Sequence, residues 1–334
     1  MSYELDQETT TMSSGQNTTK IRQKLDSEKL TEWMSQQPNI VNILGHQHRN
    51  NKEDHLQNDH LEKSLTSAAI LDNLSIRQFG FGQSNPTFLL SIRHPSKQRI
   101  SSSGGDGDLV QWVLRKKPSK IAHKSAHALH REYHVLNCIH EYNESLNDKK
   151  ERQKIIPVPE TIAYCTDETI LGAEFYLMEF IKGRIFVDPS LPNMKPDERR
   201  LAYEDVVNVL ANIHSIPIDD VGLGKYGKKG QYVSRQIRRL NLVAEQQSKH
   251  IGPIQGLDEM NHILSHAAKN CPDNVTLIHG DFKIDNLIFH PTLPKIIGVL
   301  DWELSTIGDP MCKYSHLISF TLVIHFALRV FKQY

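Results

Sequence analysis

The sequence has little cysteine, no surplus of either charge and no long apolar run, and each shortage removes a class of protein. Four cysteines, Cys138, Cys165, Cys271 and Cys312, are scattered with no C-x-x-C pair, which argues against a stapled scaffold or a cysteine-built zinc site and fits reduced thiols in an intracellular protein. Lysine plus arginine equals aspartate plus glutamate at 39 each. No overall field therefore recruits nucleic acid or an anionic membrane, and neither is expected as a partner. The apolar stretch Leu317 to Val330 is 14 residues long and contains His325, short for a membrane span, so a buried helix is the expectation. The first 20 residues carry Glu4, Asp6 and Glu8 instead of a basic and then apolar run; no secretory signal is expected, and the default compartment is the cytoplasm. Histidine is plentiful at 18, and His46, His48, His55 and His60 crowd one region. That region is polar and lacks supporting cysteines, which argues against a metal site there.

What is present centres on Leu277 to Pro310, LIHGDFKIDNLIFHPTLPKIIGVLDWELSTIGDP. Asp281 lies in His-Gly-Asp, Asn286 follows five positions later, and Asp301 stands 20 residues beyond Asp281 at the end of an apolar strand. Phosphoryl transfer asks a protein mainly for positioning and charge neutralisation. One carboxylate must orient the acceptor hydroxyl, and another, with an amide oxygen, must hold Mg²⁺ against nucleotide phosphates. The spacing predicts Asp281 as base and Asn286 with Asp301 as metal ligands, the two strands of a hairpin at Leu287 to Phe289 and Ile296 to Leu300 lying between them. Any one of these residues alone would be read as a turn or cap; the combination points to a phosphotransferase site.

Upstream, residues 1–20 read as disordered, and residues 21–72 as a helix carrying Leu30, Trp33 and Met34 followed by a polar insertion from Gln37, with a short helix near Leu61 to Leu71. Residues 73–180 read as a small β lobe. Leu74 to Phe79 and Thr87 to Ile92 are strands joined through Gly80, Gly82, Gln83, Ser84 and Asn85, a turn in which glycine lets backbone amides approach phosphate. A third strand, Leu109 to Arg115, ends in a cation. A helix predicted over Ser125 to His140 offers Glu132 as that cation's partner, and strand alternation from Val113 favours Arg115 over Lys116 for the phosphate role. Phe175 to Phe180 is a buried strand leading to a hinge, where backbone groups near Glu179 and Ile181 would meet adenine. Residues 181–312 read as a mainly helical lobe with helices at Asp197 to His214, Tyr232 to Lys249 and Leu257 to Ala268. The loop Gly222 to Gly230 is basic, which fits either a solvated loop or an anionic substrate.

These strings resemble the aminoglycoside phosphotransferase and choline kinase superfamily of protein-kinase-like folds. The nearest likeness is to the kinase-like domain on the N-terminal side of certain large acyl-CoA dehydrogenase family members. GQSNPTF, VLRKKP, AHALHREYHVL, FYLMEFIKGRIF, GKYGKKGQYVSRQIRR and HGDFKIDNLIFHP through DWELSTIGDP carry it, over about Leu74 to Pro310. The resemblance implies an α+β bilobal fold with a five-stranded antiparallel N-lobe. It also implies ATP and Mg²⁺ as cofactors and Lys283 near the transferred phosphate. The implied acceptor is a small-molecule hydroxyl, in these relatives on a hydroxy-fatty acid or its CoA ester, with mitochondrion or peroxisome as further compartments. A cationic, choline-type acceptor would want an acidic cleft and fits the basic loop less well. Two departures favour a rival reading, a pseudokinase that binds nucleotide or a partner and transfers nothing. Lys313 stands where the family presents another aspartate, and residues 313–334 read as an atypical apolar tail of a C-terminally truncated domain that lacks the dehydrogenase portion.

Overall fold

The computed structural model describes residues 12–13, 18–19, 25–46, 66–80, 85–93, 109–118 and 129–310. Ahead of the first long strand lie β1 (Met12–Ser13), β2 (Thr18–Thr19), α1 (Ser27–Ser35), α2 (Pro38–His46) and α3 (Ser67–Asn73). The small lobe is an antiparallel sheet of β2, β3 (Leu74–Phe79), β4 (Thr87–Arg93), β5 (Leu109–Lys116), β7 (Phe175–Glu179) and β6 (Thr161–Cys165), in that spatial order. Between β6 and β7 a single turn of helix, α5 (Glu168–Leu171), ends on Gly172 at φ 77°.

Alternation along these strands divides their side chains between two cores. Trp112 and Leu114 of β5 and Phe175 and Leu177 of β7 join Leu30, Met34, Ile40, Leu44 and Ile70 from α1, α2 and α3. Val113, Tyr176 and Met178 join the other core with α4 (Leu129–Asp148). Because successive residues of a strand point to opposite faces, Arg115 lies on the α4 side with Val113, and Lys116 lies on the opposite side with Leu114. Burial lowers the Lys116 ammonium pKa below its usual value.

The second core continues into the large lobe through α6 (Pro196–His214), where Val206, Leu210 and Ile213 are buried. The β-hairpin β10 (Leu287–Phe289) and β11 (Ile296–Val299) pairs Leu287 with Val299 and is extended by β8 (Arg184–Ile185) and β1. Strands β9 (Thr276–Ile278) and β12 (Thr306–Gly308) form a two-stranded ladder. Helices α7 (Tyr232–Ile251) and α8 (Leu257–Ala267) pack on one another. No helix among the described residues is long and apolar enough to cross a membrane.

Four expectations change. The sheet has six described strands, not five, because Thr18–Thr19 pairs with Phe79 and Gln78. With Met12–Ser13, these are paired strands inside the stretch read as disordered. The polar reading from Gln37 missed α2, which is anchored by Ile40 and Leu44 at 0% and 2% exposure; two apolar residues four apart make a short stripe that a polar average hides. Helix α4 runs on to Asp148, past the predicted end at His140, because Leu146 is buried at its far end. The start predicted for that helix, much of the histidine-rich region, Gly82 to Ser84 and the tail from residue 311, Lys313 included, lie outside the described residues.

Candidate active site

Strand β9 delivers the chain into His279-Gly280-Asp281. Gly280 has φ 93°, and a Cβ there would sit 2.2 Å from the Leu304 carbonyl oxygen, so the turn requires glycine. His279 is fully buried. Its Nδ1 accepts the Asp281 N–H at 3.2 Å, which makes Nε2 the protonated nitrogen, donating to the Leu300 carbonyl at 2.9 Å. One imidazole thereby ties the loop bearing Asp281 to the strand end that precedes Asp301. It also packs against Trp302 with ring centres 4.4 Å apart.

Asn286 closes the Asp281 loop. Its Nδ2 donates to the Asp281 carbonyl at 2.8 Å and to Asp281 Oδ2 at 3.0 Å, which turns the amide oxygen away from that carboxylate. The Leu300 N–H donates to the Asn286 carbonyl at 2.9 Å, so hairpin register sets Asn286 beside the residue preceding Asp301. Lys283 Nζ lies 3.3 Å from both Asp281 Oδ2 and Asp285 Oδ2. Partial burial opposes its charge, but the two carboxylates prevail and hold the ammonium pKa above its usual value.

Asp301 adopts the left-handed conformation at φ 66°, a region that aspartate tolerates better than most residues. A short turn, Trp302–Leu304, follows, held by Trp302 Nε1 donating to the Val299 carbonyl at 3.0 Å. Into this turn reaches Arg115 from β5. Its Nη1 donates to Glu132 Oε1 at 2.8 Å, and its Nη2 donates to Asp301 Oδ1 at 2.7 Å and Glu303 Oε2 at 3.4 Å. Glu132 Oε1 also accepts the Trp302 N–H at 3.2 Å, and Asn85 Nδ2 donates to Glu303 Oε2 at 2.8 Å. One guanidinium faces three carboxylates, an arrangement that favours an added cation.

The electrostatics follow from burial. Desolvation pushes the Glu132 carboxyl pKa up, with Arg115 pulling against it and Asp301 adding to it. The Tyr176 phenol pKa is driven well above its ordinary value, by burial first and by Glu132 second. Burial also works against the Arg115 charge, but Glu132, Tyr176 and Asp301 outweigh it, so the guanidinium pKa is raised and the side chain stays a cation.

Of the residues picked from the sequence, the fold gathers Asn85, Arg115, Glu132 and Asp301 in one contact network, with Asp281, Lys283 and Asn286 in the adjoining loop. Gly80 follows the last residue of β3, Gly82, Gln83 and Ser84 fall outside the described residues, and Glu179 ends β7 with Ile181 just beyond. The Glu179 N–H is already donated to the Glu160 carbonyl at 2.8 Å, so adenine contacts near the hinge would fall to other backbone groups. His279 and Glu303 were not singled out. The available signals were proximity alone, since one lies two before Asp281 and the other two after Asp301.

Two matches set this geometry in a family. Residues 75–334 match the family described as "Phosphotransferase enzyme family". The chain belongs to that family. A crystal structure assigned as an aminoglycoside phosphotransferase from Ralstonia eutropha superposes with a TM-score of 0.56 at 32% identity, covering 86% of this chain and 68% of that one. The fold is thus the bilobal kinase-like one. Among curated relatives, "Probable acyl-CoA dehydrogenase IBR3" of Arabidopsis thaliana is 39% identical over 247 residues, covering 72% of this chain and 27% of that protein. "Acyl-CoA dehydrogenase family member 11" of Gallus gallus is 37% identical over 254 residues, covering 74% of this chain and 28% of that protein. The family match therefore sits on a chain spanning about a quarter of the length of these relatives.

Proposed function

We propose that this chain transfers the γ-phosphate of ATP to the hydroxyl of a small molecule. The observation that carries the reading is Arg115, held between Glu132 of α4 and Asp301 of the large lobe at 2.8 and 2.7 Å, where a cation from one lobe meets the carboxylate of the other. In this reading Asp281 orients the acceptor hydroxyl and takes its proton, and Asn286 holds Asp281 at the required angle. Lys283 and Arg115 neutralise phosphate charge, and His279 fixes the spacing between the two loops. Backbone at Gly80 and Asn85 would lie over the phosphates, and hinge backbone near Glu179 and Ile181, other than the Glu179 N–H, would meet the adenine.

The donor set fits Mg²⁺. Asp301 engages Arg115 through Oδ1 alone, and the Asn286 amide oxygen faces away from Asp281, giving two hard oxygen donors of the kind Mg²⁺ takes while keeping waters and phosphates as its remaining ligands. Among the described residues no group of three or more His, Cys, Asp or Glu could hold a metal by itself, so the nucleotide phosphates would complete the sphere. Bound there, Mg²⁺ would supply charge neutralisation at the phosphates.

The curated relatives are named acyl-CoA dehydrogenases, which supports an acyl acceptor; in this reading it is a hydroxy-fatty acid or hydroxyacyl-CoA, whose phosphorylated product would pass to a dehydrogenase portion of the longer proteins. The second reading, a nucleotide-binding pseudokinase, draws on the same contact seen differently, because Arg115 occupies an oxygen of the proposed metal ligand. The test is transfer of labelled γ-phosphate to a panel of hydroxyacyl compounds, with choline and an aminoglycoside as controls, for the wild type and Asp281→Asn. Retained nucleotide binding with turnover down about 10²- to 10⁴-fold in the variant is the expected result. Turnover unchanged in Asp281→Asn would sink the assignment of the base. Binding of Mg·ATP by the wild type with no transfer to any acceptor of the panel and no ATP hydrolysis would favour the pseudokinase.

A further inference from the structure

Arg131 stands next to Glu132 near the described start of α4, and its guanidinium reaches the large lobe by a separate route. Nη1 donates to the Tyr226 carbonyl at 2.9 Å, and Nη2 donates to the Ser305 carbonyl at 3.3 Å. The guanidinium carbon lies 4.1 Å from the centre of the Tyr226 ring. The Tyr226 hydroxyl is 3.3 Å from the Arg131 carbonyl and 2.5 Å from Ser305 Oγ, and the Ser305 hydroxyl donates to the Trp302 carbonyl. Tyr226 and Ser305 are both buried. The loop carrying Tyr226 lies flat on β12, since a Cβ at Gly227 would come within 2.7 Å of the Ile307 nitrogen. Two consecutive side chains of α4 therefore grip the same turn. Glu132 takes the Trp302 N–H at its start, and Arg131 takes the Ser305 carbonyl at its end.

We propose that Arg131 is a positioning residue whose fork fixes α4 against Tyr226 and Ser305, so that Glu132 stays in register with both Arg115 and the Trp302 N–H. Both acceptors of the fork are backbone carbonyls, so Arg131 supplies geometry and leaves the charge of the Arg115 cluster untouched. A planar guanidinium can bridge two carbonyls on different segments and lie on an aromatic face at once, whereas an ammonium cannot reproduce that geometry. The consequence for nucleotide binding rests on the phosphotransferase reading; the mechanical claim about α4 does not.

The test pairs a measurement that needs no ligand with one that does. Arg131→Met keeps the stem against Tyr226 and removes both donors. Hydrogen exchange at the Trp302 amide and along α4 should speed up about tenfold or more, while amides of β3 and β4 keep the wild-type rate. Exchange unchanged at Trp302, or raised equally everywhere, overturns the proposal. Affinity for a fluorescent Mg·ATP analogue should fall about tenfold in Arg131→Met and in Glu132→Ala, and the double variant should bind no more weakly than Glu132→Ala alone, because coupled residues fail to add. Losses that multiply would show Arg131 acting independently of Glu132 and overturn the proposal. If Arg131→Met does not fold, Arg131→Lys, whose ammonium keeps the charge but cannot bridge both carbonyls, carries both comparisons. A wild type that binds no nucleotide analogue ends the phosphotransferase reading and leaves the exchange result to decide on Arg131.

Discussion

Helices α4 and α7 are each 20 residues long and each carries an apolar stripe, yet α4 buries seven residues and α7 buries none. In α4 the stripe of Val135, Leu136 and Ile139 packs in the core shared with Tyr176 of the sheet and Trp302 of the large lobe. In α7, Leu240 and Val243, three apart on one face, remain 65% and 42% exposed. A 3.6-residue period announces an apolar face, but whether something covers it depends on elements distant in sequence. The same burial that anchors α4 makes its polar residues consequential: Glu132 is withdrawn from water and must be paired, while Arg238 and Arg239 of α7 stay exposed.

Four measurements would break or sharpen this contrast. The largest expected effect is Leu136→Ala, which should lower unfolding free energy by about 2–5 kcal/mol in a denaturant titration, the cost of a core cavity. A loss below about 1 kcal/mol would mean that α4 is not embedded as described. Next comes Glu132→Ala, which strips a partner from Arg115 and from the Trp302 N–H. It should cost about 1–3 kcal/mol, the penalty for buried donors left unpaired, with Asp301 and Glu303 still on Arg115.

The third concerns pH. Burial, aided by Glu141, pushes the Cys138 thiol of α4 from an ordinary 9.0 up to about 11. The unfolded chain then loses this proton before the folded one does. Stability that is whole below pH 9 should drain away as pH rises towards about 11. Comparing unfolding midpoints at both ends of that window, the wild type should lose about 1–2 kcal/mol more than Cys138→Ala. Equal losses would place the thiol in water. The smallest effect belongs to α7: Leu240→Ala should change stability by less than about 0.5 kcal/mol, as exposed positions do. A cost above about 2 kcal/mol would show that another surface covers that face.

Much of the fold was legible because its signals are local. Helices α6 and α8 and the hairpin β10–β11 follow their predicted bounds within two residues, since apolar periodicity and turn residues are short-range features. The reading of Arg115 against Lys116 also rested on a local rule, alternation counted from Val113. Less local features escaped. Pairing of Thr18–Thr19 with β3 depends on a segment about 60 residues away, which no propensity encodes. The length of α4 was set by Leu146 finding a core, and α2 by Ile40 and Leu44 doing the same.

By itself, the sequence named the chemical cast of the candidate site. A carboxylate, an amide and a second carboxylate at this spacing, with a cation on a strand, need no coordinates to be recognised, because spacing along a loop and a hairpin limits where each can go. Only the tertiary structure decided who touches whom. The Arg115 guanidinium meets Glu303 as well as Asp301, Asn85 donates to Glu303 across 218 positions, and Arg131 grips carbonyls 95 and 174 positions away. Side chains reach only a few ångströms, so such contacts exist only once packing of the two lobes has brought the backbone segments together.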